Sequence, residues 1–419
     1  MINIFTKLEF KNIFLASVTL ICAVLVATIS MFLIYRIPID LVKKNVHSSL
    51  NIYKVNPKWA PPHSSSQVES YGDTYLLLLS LTPSTNALND AMLGRRLAYS
   101  QDDYPVKTIF NYFSKKQNKI NYSYHPRYWH GSLVVLKPLL TMFTISEIRL
   151  INMVLQISLL IILSIQLFLK GGYKLLLPFL IGIFILNPVS CILSISYYSL
   201  YYITLLSCLF LLKYKIFSSL KYWYYFFLIG IITIFFDQFT YSLISLGFPL
   251  ILLVILNNEE YIPKIKKVMI ASISWLLGFI GMWIGKWSIA SLITGQNVFI
   301  NAFNKMLYRV GANVGHNHII TSYDAVYKNL KALYDCLPNL YIFIIILVII
   351  LVIMLCFCKN KIKNSIIFPL LLISSYPFIY CLFLKNATYI HAFMTYKIFS
   401  LTVISIIYTI LYSFEWKNR

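Results

Sequence analysis

Apolar and polar residues are segregated along this chain into long apolar runs separated by short basic connections. A helix needs about 20 consecutive apolar residues to cross a bilayer. This rule predicts ten spanning helices, near residues 12–35, 147–169, 173–190, 194–213, 221–237, 239–256, 268–290, 338–358, 365–384 and 393–413. We expect breaks at Asn187-Pro188 and at Asp237, where pairs of short helices meet. The predicted fold class is an all-α integral membrane protein.

One long polar segment, residues 36–146, interrupts this series after the first span. Inside it, residues 74–79 and 132–143 form apolar stretches that are too short to cross, which predicts helices lying in the membrane interface. The first apolar run is too long for a signal peptide, so we expect a retained helix. The predicted organisation is residues 1–35 as N-terminus and first span, 36–146 as a loop with the active site, and 147–419 as a helix bundle with an outer loop at 291–337.

The composition supports a membrane protein, with 59% hydrophobic and 12% charged residues. The net charge of +22 comes from lysines and arginines that flank the apolar runs, as the positive-inside rule expects. No basic surface module of the kind that binds nucleic acid is visible. The basic connections predict a multi-pass protein of the cell membrane with both termini in the cytoplasm. The segments 36–146 and 291–337 are then outside.

Carboxylates in the outer segments are the candidates for acid–base chemistry. Asp73 begins the apolar stretch 74–79 and is the first choice for a general base. The alternative is that Asp73 only caps that helix, since Asp is a common N-cap residue. Asp237 follows an apolar span, where an ionisable group is costly and is therefore a candidate site residue, unless it serves a plain turn. The pair Asp102-Asp103 is either a second acidic site or a solvated turn.

Cations and aromatic residues near the same surface are candidates for holding a lipid phosphate. In Arg127-Tyr128-Trp129-His130, the arginine is suited to clamp a phosphate with two hydrogen bonds and the tryptophan to stack on a sugar ring. The alternative is an aromatic belt with a snorkelling arginine. Lys286, His391 and Lys397 also lie near outer span ends, and we expect Arg127, Lys286 and Lys397 to surround the phosphate. No cofactor is predicted; a divalent metal is compatible with the carboxylates, but no ligand spacing indicates one.

Four short motifs and the arrangement of one span, a large outer loop and a helix bundle carry a resemblance to a known class. The motifs are Tyr71-Gly72-Asp73, Tyr128-Trp129-His130-Gly131, Phe236-Asp237-Gln238-Phe239-Thr240-Tyr241 and Asn386-Ala387-Thr388-Tyr389-Ile390-His391. The chain resembles the GT-C class of membrane glycosyltransferases, and the motifs are similar to those of multi-pass proteins related to bacterial glucosyltransferases that decorate surface polysaccharides.

This resemblance implies a polyprenyl-phosphate sugar donor, a glycan acceptor, an outward-facing site and an inverting transfer. It also implies a catalytic aspartate in the first outer loop, a role that falls to Asp73. Asp40 is the alternative, because the catalytic acid of the class usually lies close after the first span.

Two other functions remain open. A lipid-linked polysaccharide polymerase would also have many spans, but such enzymes place an arginine-rich loop late in the chain. A polysaccharide or lipid transporter (a flippase) would show internal repeats and charges at the bilayer midplane. In this sequence the long loop comes first and the ionisable residues lie near the ends of the spans. This pattern favours the transferase.

Overall fold

A computed structural model describes the backbone of residues 2–54, 69–98, 104–114, 121–257, 260–311, 319–357 and 364–413, and helices dominate it. The described parts of the first apolar run and of the polar segment after it contain seven helices and two short strands. In chain order they are α1 (Ile2–Arg36), α2 (Ile39–Ser49), α3 (Asn51–Lys54), α4 (Ser70–Ser80), α5 (Ala87–Leu93), β1 (Arg95–Ala98), α6 (Pro105–Ser114), β2 (Asn121–Tyr124) and α7 (Leu133–Met142).

The remainder of the described chain is a helix bundle joined by short turns. Its helices are α8 (Ile145–Ile185), α9 (Pro188–Leu193), α10 (Ile195–Lys213), α11 (Tyr222–Phe236), α12 (Leu243–Leu256), α13 (Tyr261–Thr294), α14 (Val298–Val310), α15 (Ser322–Cys336), α16 (Pro338–Phe357), α17 (Asn364–Phe383), α18 (Lys385–Ile390), α19 (Ala392–Thr395) and α20 (Ser400–Ser413). Single 3-10 turns precede α11 and α20.

Among the described residues, six helices are long and apolar enough to cross a membrane, which supports a membrane-embedded all-α protein. They are Lys11–Arg36, Ile145–Ile185, Ile195–Lys213, Ile262–Thr294, Ser365–Phe383 and Ala392–Tyr412. The predicted spans 221–237 and 239–256 are also helical, but α11 and α12, with 15 and 14 residues, are shorter than this criterion requires. The predicted span 338–358 is helical as α16, and within its described residues the apolar stretch is Ile342–Ile353. The two predicted spans on either side of residue 171 lie in α8, where Gly172 leaves the helical region with φ 61° and ψ −154°.

Both predicted breaks are confirmed. Asn187 is the N-cap of α9 and accepts the N–H of Ser190, while Pro188 occupies the first turn, where its missing N–H costs nothing. Asp237 ends α11 and begins the turn that leads to α12. Close helix packing uses small residues: a Cβ on Gly230 would lie 2.1 Å from the carbonyl oxygen of Trp275, so α11 and α13 touch through their backbones.

The polar segment does not lie over the bundle as a separate layer, because α4 is enclosed by protein. Leucines 76–79 of α4 are buried, and the helix packs against α6, α7, α10 and β1. The helix predicted at residues 74–79 is present, but its apolar side chains contact other helices of the protein and are not free to insert into lipid. β1 and β2 pair antiparallel, with Arg95 opposite Tyr124. His125 follows β2 directly, so the strand pairing holds it beside the start of β1.

Candidate active site

The N-terminus of α4 is capped by Glu69, not by Asp73. The Glu69 carboxylate accepts the N–H of Gly72, and the Glu69 N–H donates to Ser194 Oγ at 2.9 Å. Asp73 lies in the first helical turn, so the alternative reading of Asp73 as the N-cap is wrong. A Cβ on Gly72 would lie 2.2 Å from Glu69 Oε2 and 3.0 Å from Ser196 Cβ, so this position requires glycine for the carboxylate to reach the cap.

Asp73 is buried behind this cap and bound to two other helices. Its Oδ1 accepts the backbone N–H of Ser196 at 3.1 Å and the Ser196 hydroxyl at 3.2 Å, which ties α4 to the start of α10. Its Oδ2 lies 3.5 Å from Arg149 Nη2 on α8. Burial raises the pKa of Asp73, and the charge of Arg149 opposes that rise. Its carboxylate is thus committed to anchoring helices.

A polar cavity of about 350 Å³ lies where the ends of several bundle helices meet, and Glu69 lines it while Asp73 does not. Six parts of the chain contribute: the start of α4, residues 125–132, the start of α10, residues 236–240, α14, and residues 391–394. Burial first, and the charge of Asp73 second, raise the pKa of Glu69 to about 8. Of the described residues that line the cavity, Glu69 is the one that carries a carboxyl group.

Among the described residues, three cations also line the polar cavity: Arg127, Lys305 and Arg309. Arg309 Nη2 donates to the Tyr128 hydroxyl at 2.7 Å, and Arg127 Nη1 donates to Asn301 Oδ1 at 3.1 Å. Burial, followed by the charge of Arg127, lowers the pKa of Lys305. Three clustered cations facing one mostly protonated acid make the cavity suited to an anion.

The backbone at Arg127 and the two histidines of the cavity complete its wall. The indole N–H groups of Trp283 and Trp287 both donate to the Arg127 carbonyl, at 2.7 and 3.2 Å. These bonds join residues 125–132 to α13. Burial, followed by neighbouring cations, lowers the pKa of His125 to about 3 and that of His391 to about 4. Both rings are therefore neutral near pH 7 and add hydrogen-bonding groups without further charge.

Trp129 and His130 lie outside the polar cavity, contrary to the expectation that Trp129 stacks on a sugar. Trp129 is 1% exposed, and its indole N–H donates to the Met282 carbonyl at 2.9 Å. His130 is also buried, with a positive φ of 55°, and its Nδ1 lies 2.8 Å from Gln238 Nε2. Gln238 lines the cavity, so His130 contacts a lining residue but does not line the cavity itself.

Four other candidates from the sequence also lie away from the cavity: the two lysines Lys286 and Lys397, and the two carboxylates Asp237 and Asp40. Lys286 donates to the carbonyls of Ala91 and Met92 at 3.2 and 2.9 Å, so it caps the C-terminal end of α5. Lys397 is bound to the Leu186 carbonyl and, at 2.7 Å, to Ser190 Oγ. The expectation that these lysines join Arg127 around one phosphate is wrong, since each is enclosed in a different part of the core.

The carboxylates of Asp237 and Asp40 are equally separate from the polar cavity. Asp237 accepts the Thr240 N–H at 3.2 Å and hydroxyls from Thr240 and Ser242, which fits the plain turn. Asp40 lies exposed in the first turn of α2. The pair Asp102-Asp103 lies outside the described residues. Within the part of the chain that the structure describes, no group of three or more His, Cys, Asp or Glu side chains is arranged to hold a metal.

An apolar groove of about 350 Å³ adjoins the polar cavity. It runs between α7, α8, α10 and α11, and its wall is almost wholly apolar, with Leu139, Leu155 and Ile203 among the lining residues. Ser132 and Phe236 line both the groove and the cavity. The polar cavity and the apolar groove are therefore neighbours, an arrangement that suits a ligand with a charged head and a hydrocarbon tail.

Four acidic, basic or histidine residues of the cavity were not among the site residues predicted from sequence: Glu69, His125, Lys305 and Arg309. A signal was present for Lys305, because Lys305 and Arg309 are one turn apart in an amphipathic segment and so share a helix face. Glu69 carried no such signal, since its role depends on where α4 begins.

Comparisons with protein-family models, with curated proteins and with solved structures found no match for this chain.

Proposed function

We propose that this protein is a membrane glycosyltransferase that moves a sugar from a polyprenyl-phosphate donor to a cell-surface glycan. The observation that carries the proposal is that the polar cavity and the apolar groove are neighbours that share Ser132 and Phe236 as lining residues. In this proposal Arg127, Lys305 and Arg309 bind the donor phosphate, and the groove holds the first part of the hydrocarbon tail. Binding sites of mainly apolar lining with a few convergent polar groups are typical of such ligands.

Glu69 replaces Asp73 as the proposed general base. The acceptor hydroxyl oxygen attacks the anomeric carbon of the sugar, and its proton passes to the Glu69 carboxylate. The bond between the anomeric carbon and the phosphate oxygen breaks, and its electron pair stays on the released polyprenyl phosphate. Glu69 suits this step because a base works best with a pKa near the working pH. The cations stabilise the negative charge that develops on the leaving group.

Asp73 then has a positioning role, through Ser196. The Ser196 hydroxyl lies 3.2 Å from Asp73 Oδ1 and 3.5 Å from Glu69 Oε2, so it stands between the two carboxyl groups. Arg149 balances the charge of Asp73 from the other side. After burial, the charge of Asp73 is the second cause that raises the pKa of Glu69. Metal chemistry is not required by this scheme.

We also propose ten spans, with both termini in the cytoplasm of a cell-membrane protein and the polar cavity facing outward. The support is the agreement of the basic connections with the positive-inside rule. An engineered cysteine at Lys107, an exposed position on α6, should react with a membrane-impermeant thiol reagent in intact cells. Reaction only after permeabilisation would reverse the orientation.

The functional test is mass spectrometry of surface glycans from a strain that lacks this chain. We expect one sugar substituent to disappear, to return with the wild-type gene, and to stay absent with Glu69→Gln. An unchanged set of glycans would refute the proposal. Loss of the whole polymer, with lipid-linked precursor accumulating, would indicate the transporter instead, since a flippase would need the same lipid groove. A shift in polymer length alone would indicate the polymerase.

A further inference from the structure

Helix α14 is amphipathic, but its cationic face is turned toward the protein and its apolar face is exposed, which is the opposite of a helix on a water-facing surface. Its inner face carries Val298, Ala302 and the two cations Lys305 and Arg309, which line the polar cavity. Its outer face is a stripe at helical spacing formed by Ile300, Phe303, Leu307 and Val310, whose side chains are 41–60% exposed. A helix in water turns its charged face outward and its apolar face to the core. The reversed arrangement is expected where the surroundings are themselves apolar.

The position of α14 along the chain places it at the membrane surface. The spanning helix α13 ends at Thr294, Gly295 turns the chain with φ 69°, and α14 begins at Val298. A helix of this length measures about 20 Å, shorter than the roughly 30 Å hydrocarbon layer, so α14 cannot cross it. Its polar side is fastened to the protein, because Asn386 Nδ2 donates to the Tyr308 carbonyl at 2.8 Å and Arg127 contacts Asn301.

We propose that α14 is a membrane-docking helix whose apolar stripe, Ile300, Phe303, Leu307 and Val310, is inserted among the lipid chains at the bilayer surface. The partner of this surface is the lipid bilayer. The docking fixes Lys305 and Arg309 at the depth of lipid phosphate groups, so a phosphate reaches the polar cavity from the plane of the membrane. Interfacial helices bind lipid in this way, with an apolar face inserted and cationic residues on the opposite face. The inference depends on the membrane embedding and not on the transferase chemistry.

The experiment measures the surroundings of Phe303 directly. A genetically encoded fluorescent amino acid replaces Phe303 in the full-length protein, which is reconstituted into vesicles of phosphatidylcholine and phosphatidylglycerol. Quenching is measured with a doxyl-labelled lipid and, separately, with iodide in the water. The same residue at Leu277, an exposed position within the spanning helix α13, provides the lipid-facing reference. The same residue at Lys107 on α6 provides the water-facing reference. A probe at Ile300 serves as the second variant if the change at Phe303 disturbs folding.

We expect the probe at position 303 to lose about twofold more fluorescence to the doxyl lipid than to iodide, as at Leu277, because its side chain is inserted among lipid chains. The opposite ratio, as at Lys107, would overturn the proposal by placing the stripe in water. Protection from both quenchers would also overturn it, since the stripe would then be covered by protein, such as a second copy of this chain. None of these outcomes depends on turnover, so a failed transferase assay would leave this result intact.

Discussion

The polar cavity and the core beside it both contain charged side chains, but the two groups differ in what their polar atoms contact. In the core, Lys286 donates to backbone carbonyls and Lys397 to a serine hydroxyl, while Asp237 accepts a backbone N–H. In the cavity, the Glu69 carboxylate also accepts the Gly72 N–H, but Glu69 and Lys305 in addition line a space large enough for a ligand. Buried polar groups that are fully paired hold structure together, whereas those that face a cavity can bind something else.

This difference shows why an ionisable residue near membrane depth is a weak guide to function. Lys286 and Asp237 are both such residues, and both complete helix ends: Lys286 at the end of α5 and Asp237 at the end of α11. Helix ends have unpaired backbone groups that must be satisfied when they are buried. The four predictions that follow separate the cavity residues from the core residues by what each change does to turnover and to folding.

The largest effect is expected for Glu69→Gln, which removes the proposed base and keeps the shape of the side chain. The initial rate of sugar incorporation should fall by about 10²- to 10⁴-fold, the usual contribution of general base catalysis. The core control is Asp237→Asn, which should keep the rate and reduce the stability of the protein by about 1 kcal/mol, measured by thermal unfolding. A full rate in Glu69→Gln together with an inactive Asp73→Asn would return the base to Asp73.

Gly72→Ala should have the next largest effect, although alanine normally favours a helix over glycine. The new Cβ would lie 2.2 Å from Glu69 Oε2, so the carboxylate must move. A displacement of about 1 Å costs up to about 10²-fold in rate. The matched control is Ser80→Ala at the other end of α4, where the hydroxyl contacts only the helix's own backbone. Equal rates in the two variants would show that the position of Glu69 does not matter.

Arg309→Gln should raise the KM for the lipid-phosphate donor by about tenfold, because one charge-assisted hydrogen bond of roughly 1.5 kcal/mol is lost. Tyr128→Phe removes the hydroxyl that Arg309 contacts but keeps the cation, so its effect should be smaller. Lys286→Met in the core should instead lower the melting temperature and leave KM unchanged. If Lys286→Met changed KM as much as Arg309→Gln, the assignment of cavity and core cations would be wrong.

The smallest effect is a pH dependence. Glu69 acts as a base only when it is ionised, so kcat/KM should rise about fivefold from pH 7 to pH 8, given its pKa of about 8. The raised folded-state pKa also means that its contribution to folding stability is lost as pH rises toward 8. His125 and His391 titrate far below this range. Asp73→Asn removes a neighbouring negative charge, so the rise in kcat/KM should occur at lower pH. A rise at the same pH as in the wild type would show that the charge of Asp73 does not affect the pKa of Glu69.

Local sequence patterns determined where the apolar helical segments lie and where two of them break, whereas helices such as α5, α6 and α14 were not predicted. The span lengths, Pro188 and Asp237 act within a few residues of themselves, so hydrophobic run length and turn chemistry were sufficient to predict them. The same patterns brought Arg127, Tyr128 and His391 into the list of site residues, and the structure places all three around the polar cavity.

Tertiary packing alone decided which acid faces the cavity. Glu69 and Asp73 are one helical turn apart. The sequence predicted Asp73 as the general base because Asp73 precedes an apolar stretch. Their environments are set by residues distant in sequence: Ser196 and Arg149 hold Asp73 inside the core, while Lys305 and Arg309 line the same cavity as Glu69. Side-chain direction in a helix enclosed on all sides depends on those neighbours, and no local periodicity encodes them.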